Sequence, residues 1–138
     1  MENKLIIDGT GAILGRLCSY AAKQALLGKE ITIVNCNDVV SAGNKKNILG
    51  EYIIMRQKDG SNLKGPFFPK VPEKIVKRTI RGMLSYKQQR GEKALGRVMC
   101  YNKVPSELES AKKISLEIFY SKDKRAKTMK LSEVARLI

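Results

Sequence analysis

With 138 residues, 43% of them apolar, the chain has the length and hydrophobicity for one folded domain with a real core. It is therefore not a disordered polycation, although its net charge is +14. The sequence has no histidine, which excludes nucleophile–histidine catalysis, and no apolar run approaches the roughly 18 residues of a membrane span.

Met1-Glu2-Asn3-Lys4 lacks the basic and then apolar pattern of a secretory signal, so the chain reads as cytosolic. Leu5-Ile6-Ile7, closed by Asp8-Gly9, is a short β-branched run and reads as a buried strand. The spacing predicts a helix from Ile13 to Leu27, with Leu14, Leu17, Cys18, Ala21 and Ala25 on one face and Gly28 ending it. Ile31-Thr32-Ile33-Val34 is a second buried strand. Strand, helix and strand over about thirty residues make a βαβ unit, so the two strands should be parallel.

Residues 37–44 are rich in turn formers and read as a connection. A helix is predicted from Lys45 to Arg56 with Ile48, Leu49, Tyr52 and Ile53 inward, then an exposed loop over 58–62. Pro66, Pro69 and Pro72 keep the next stretch extended, and Pro72 suits the first turn of a helix. There Ile75, Val76, Thr79, Ile80, Met83 and Leu84 recur at helical spacing. Lys74, Lys77, Arg78 and Arg81 recur at the same period on a face roughly 170° away. A short helical piece over Gly91–Arg97 and a third strand at Val98–Tyr101 follow. Residues 106–127 are charged and weakly periodic, Met129–Leu131 reads as extended, and Leu131, Val134, Ala135 and Ile138 mark a last helix.

Charge is concentrated in the middle. Residues 1–41 carry four bases and four acids, whereas residues 42–97 carry fourteen bases and four acids. A solvated helix face mixes both signs, but here only Glu73 interrupts the cations. A one-signed ridge beside a proline-stiffened arm suits an array of phosphates. Lys64, Lys70, Lys74, Lys77, Arg78, Arg81, Lys87 and Arg90 are the expected phosphate-facing residues. Arg16 is a further candidate that alternatively braces its own turn, and Lys45, Lys46 and Arg56 would extend the surface. Phe67, Phe68 and Tyr86 flank the basic helix and either stack on bases or pack the arm onto the domain. Aromatics are otherwise few, so recognition through RNA backbone and shape is expected more than base reading.

Gly9-Thr10-Gly11-Ala12-Ile13-Leu14-Gly15 lies where a dinucleotide fingerprint would lie, between a strand and a helix. Its spacing is looser than the fingerprint, and Asn35 stands where an acid would close the second strand. The turn is read as structural. A small nucleotide-dependent enzyme using it and a duplex-DNA-binding protein are the alternatives. Cys18, Cys36 and Cys100 form no Cys-x-x-Cys pair and are expected as free thiols, with Cys18 and Cys100 shielded by packing. No catalytic residue, metal site or cofactor is expected.

Gly11-Ala12-Ile13-Leu14-Gly15-Arg16-Leu17-Cys18-Ser19 resembles a characteristic turn of the universal large-subunit ribosomal protein thirteen family. Val34-Asn35-Cys36-Asn37 and Ser41-Ala42-Gly43-Asn44 resemble its next segment. Gly65-Pro66, Pro72 and Arg78-Thr79-Ile80-Arg81-Gly82-Met83-Leu84 resemble its most specific signature, which Lys87, Arg90-Gly91 and Ala94-Leu95 continue. The resemblance runs over roughly residues 4 to 105; the arm is similar to the archaeal and eukaryotic branch, and the ending at Leu131–Leu137 to archaeal members. Ser85 departs from the family's usual proline, which should leave the helix exit less sharply fixed, and Cys18 replaces an alanine. The resemblance implies an α/β fold, a three-layer α/β/α sandwich around a four-stranded, mainly parallel sheet. It implies one domain over 1–138, with the basic arm and helix at about 58–97 and an extension at about 106–138. It also implies no enzymatic activity. The implied function is that of a structural constituent of the large ribosomal subunit, binding large-subunit ribosomal RNA beside neighbouring ribosomal proteins and supporting assembly. No membrane or small-molecule substrate is expected.

Overall fold

The computed structural model describes residues 4–57, 69–120 and 127–137, with the backbone alone at 56 and 57. The loop over 58–62, Lys64, Phe67, Phe68 and the Arg56 side chain lie outside the described residues. In chain order the elements are β1 (Lys4–Asp8), α1 (Leu14–Leu26), β2 (Glu30–Val34), β3 (Val40–Ala42), α2 (Lys45–Gln57), α3 (Pro72–Met83), α4 (Gln89–Gly96), β4 (Val98–Cys100), β5 (Thr128–Lys130) and α5 (Leu131–Leu137). Short 3-10 turns lie at Cys36–Asp38, Ser106–Leu108 and Glu117–Phe119.

The βαβ unit forms as its spacing predicts. β1 and β2 pair in parallel, Lys4 opposite Glu30 through Asp8 opposite Val34. β4 joins the far side of β2 in parallel, giving the order β1-β2-β4. The central strand is the most buried, with Ile31, Ile33 and Val34 closed off from water. α1 covers the strands with Leu14, Leu17, Cys18, Ala21 and Ala25, the face read from the sequence, together with Ala22. Its last turn is held from outside: Arg97 donates to the Ala25 carbonyl at 2.8 Å. A cation on the last carbonyls complements the helix dipole as well as the orphan acceptors.

Three expectations need correction. The expected four-stranded sheet has three parallel strands among the described residues, and β3 and β5 form a separate antiparallel pair. On the other edge of β1 the described residues make a single parallel bridge, Ile7 to Ile114. There Asp8 N–H donates to Ile114 C=O at 3.0 Å and Ile114 N–H to Ile6 C=O at 2.8 Å. Second, residues 40–42 are strand and not connection. Three residues carry no periodicity, and their partners lie at 128–130. Third, Ile53 on α2 and Met83 on α3 are exposed rather than inward. Ile53 lies at the margin of its stripe and Met83 is the last residue of α3, while Ile48 and Tyr52, and Ile75, Val76, Ile80 and Leu84, fill the core.

The weakly periodic C-terminal stretch also reaches the core. Phe119 is fully buried and meets Tyr20 edge-to-face, with ring centroids 5.4 Å apart. Met129, Leu131 and Val134 are buried as well, so β5 and α5 close the core beside α2.

Candidate nucleic-acid interface

Helix α3 is set in place before its surface can act. Its N-cap, Val71, offers no side-chain acceptor, and Pro72 takes the first turn. The acceptor comes from elsewhere: Asn102 Oδ1 receives the Glu73 N–H at 2.9 Å. This ties the helix start to the chain just beyond β4. Ile75, Val76 and Ile80 anchor the inner face, and α3 packs mainly against α1. Burying each such side chain contributes about 1.5–3 kcal/mol, enough to fix the opposite face in orientation.

That opposite face lines a groove of about 330 Å³ bounded by Pro69, Lys74, Lys77, Arg78, Arg81 and Leu95. The arm supplies Pro69, α3 the four cations and α4 the far wall. A second hollow of about 330 Å³, lined by Glu73, Lys74, Lys77, Met99, Cys100 and Tyr101, shares Lys74 and Lys77. The ion pairs Lys4–Glu30, Lys45–Glu133 and Lys130–Asp38 lie on other elements. A concave strip with four positive charges has the field and the hydrogen-bond donors to attract anions.

The cations differ in their surroundings. Lys74 is exposed. Lys77 is half-buried, and its ammonium donates to the Val98 carbonyl at 2.8 Å, so it also holds α3 to β4. Arg78 is half-buried within the groove wall. Arg81 lies over the Tyr86 ring, with its guanidinium carbon 5.0 Å from the centroid. Lys70, Lys87 and Arg90 are exposed on the flanks of α3, and Lys64 lies outside the described residues. Arg16 does not line the groove. Its guanidinium donates to the Tyr120 carbonyl at 2.8 Å and so braces the first turn, the alternative role read from its position. Lys45 pairs with Glu133 at 2.8 Å, which neutralises one end of the expected extension.

The glycine turn is engaged internally. Five consecutive N–H groups, from Gly9 to Ile13, donate to Val34 C=O, Asp8 Oδ1, Asp38 C=O, Gly9 C=O and Phe119 C=O. Gly11 has φ +72° and faces the Tyr120 ring, which closes over the turn. A phosphate would have to displace this packing. Gly15, by contrast, has open space around it, so a side chain there would meet no neighbour and the structural reading of the turn rests on Gly9 and Gly11. Asn35, in the left-handed conformation, turns its amide back to Asp8 Oδ1 at 3.0 Å. All three cysteines are free, with Cys18 and Cys36 buried and Cys100 half-buried. Burial pushes the Cys18 thiol up, and a hydrogen bond with Cys100, followed by burial, does the same to Cys36. Both are held as unreactive thiols.

The spacing of the sequence points to the cations of the groove but not to Asn102, Leu95 or Pro69, which cap or wall it. Asn102 caps a helix 29 residues away, and nothing local to it signals that role. Leu95 was legible only as part of the short helical piece over Gly91–Arg97.

The description Ribosomal protein L13 belongs to a family model that matches residues 2–107. The large ribosomal subunit protein uL13 of Methanosarcina barkeri is 48% identical over 112 residues, covering 80% of this chain and 79% of that protein. Its counterpart in Methanococcoides burtonii is 44% identical over 112 residues, covering 81% and 80%. That of Archaeoglobus fulgidus is 40% identical over 135 residues, covering 96% and 86%. With the model matching most of the chain and archaeal relatives at this identity, the chain belongs to the ribosomal protein L13 family and is of the archaeal type.

Proposed function

We propose that this chain is a structural constituent of the large ribosomal subunit that binds large-subunit ribosomal RNA through its phosphate backbone. The observation that carries the RNA reading is the groove between α3 and α4, lined by Lys74, Lys77, Arg78 and Arg81 and backed by a buried apolar face. Lys64, Lys70, Lys87 and Arg90 extend the contact along the arm and the next turn. Family membership supports the ribosomal role: its relatives bear the name of a large-subunit protein, and the family is one of ribosomal components and not of enzymes. The chain acts in the cytoplasm as one domain over 1–138, among neighbouring ribosomal proteins, and supports assembly of the subunit. We also propose a three-layer arrangement for that domain, with helices on both faces of the β1-β2-β4 sheet.

The positive groove has the chemistry for duplex DNA as well, and charge alone does not separate the two ligands. The nucleotide-enzyme reading is disfavoured by the internally bonded glycine turn. Two measurements test the proposal. The native protein should sediment with the large subunit, and at matched salt a structured large-subunit RNA fragment should compete off duplex DNA. A chain that stays in the free fraction and prefers duplex DNA contradicts it.

A further inference from the structure

Tyr86 lies in the turn joining α3 to α4, and this turn is rigidly made. Tyr86 N–H donates to Leu84 C=O at 2.8 Å, and Gln88 N–H to Ser85 C=O at 2.9 Å. Gly91 backs onto the Ser85 carbonyl so closely that a β-carbon there would collide with it. Arg81, one turn back on α3, places its guanidinium over the ring. Tyr86 nevertheless keeps 39% of its surface exposed, and Met83, three residues earlier, keeps 43%. An aromatic ring held at the end of a row of cations, with Lys87 and Arg90 exposed beyond it, has little ordering left to lose on binding. Stacking on a guanidinium uses the flat face of arginine and leaves its in-plane donors for oxygen partners.

We propose that Tyr86 is a stacking platform for an unpaired nucleobase of RNA, with Arg81 as its backing. The inference rests on the RNA-binding reading of the α3 groove and adds to it a contact that does not depend on phosphate charge. Unstacked bases in loops and bulges offer a π-face that a tyrosine accepts whatever the base, whereas paired bases do not. The plainer role for Tyr86 is to orient Arg81. The two roles differ in their salt dependence, because a stacked base releases no counterions and a phosphate contact does.

The test is a titration of the full chain against a large-subunit RNA fragment containing single-stranded loops, at several salt concentrations. Tyr86→Ala and Tyr86→Leu should each weaken binding by about five- to 150-fold while the slope of log affinity against log salt stays parental. Tyr86→Phe, which keeps the ring, should bind as the parent does. Parental affinity in both ring-less variants overturns the proposal, as does loss of affinity in Tyr86→Phe. A slope flattened as much as by Arg81→Ala also overturns it, since Tyr86 would then act only through Arg81. Failure of the RNA reading itself shows earlier and separately, as absence of salt-dependent binding by the parental chain.

Discussion

Ser85 shows how far a single residue is legible from sequence. Set against the family's proline, it predicts a loosely fixed helix exit. The structure corrects that expectation, because the turn is closed by backbone bonds and by the close approach of Gly91. The bond from Tyr86 N–H to Leu84 C=O makes Ser85 the centre of a three-residue turn. Among the described residues Asn35 is the only non-glycine with positive φ, so φ at Ser85 is negative and the turn is of the inverse kind, whose central φ is typically about −75°. Proline accepts that angle, and Leu84, at φ −110° and ψ 148°, already has the conformation favoured before proline. Ser85→Pro should therefore raise stability by about 0.4–1 kcal/mol through the unfolded state, read as a higher urea midpoint. A lower midpoint contradicts the turn assignment.

Asp8 carries a pH dependence. Burial raises its pKa, but hydrogen bonds from Asn35 and Thr10 and the charge of Lys113 outweigh that and hold it below the ordinary 3.8. A carboxyl depressed in the folded state adds stability that is present above the unfolded value and is lost as pH falls through the folded one. Asp8→Asn should lower the thermal midpoint at neutral pH and flatten its fall below about pH 4. Parallel pH profiles for the two proteins would show that the carboxylate is not what holds the turn.

At the scale of the element, α3 was the most readable part of the chain. Its two stripes at one period placed Ile75, Val76 and Ile80 inside and Lys74 outside, as found. What spacing could not show is that Lys77 reaches across to the Val98 carbonyl, an acceptor 21 residues away on β4. The basic face is thus not uniform: Lys77 binds the fold together, whereas Lys74 does not. Lys77→Ala should cost about 1 kcal/mol of stability, the typical net worth of one hydrogen bond. Lys74→Ala should leave thermal unfolding unchanged. Ile80→Asp, on the buried face, should abolish the folded circular dichroism spectrum by burying an unpaired charge. Equal melting of the two lysine variants would remove Lys77 from the fold's framework.

For the whole molecule, the sequence reveals whatever is local. The βαβ unit, its parallel pairing, the helix ends and the charge gradient all follow from runs of about thirty residues. The pairing of β3 with β5, the Ile114 bridge and the contact of Phe119 with Tyr20 join segments from 86 to 107 residues apart. No periodicity within either partner specifies such contacts. The groove falls between these cases: its cations come from one helix, while its walls come from the arm and from α4. The groove is proposed to hold RNA phosphates. The most direct test is a salt titration of binding to large-subunit RNA fragments by the parent, Arg78→Ala and Arg81→Ala, with circular dichroism on each. Each variant should fold normally, and each should flatten the slope of log affinity against log salt by roughly 0.7 to 0.9, with similar losses across RNA sequences. Normally folded variants that keep the parental affinity and slope would contradict the claim.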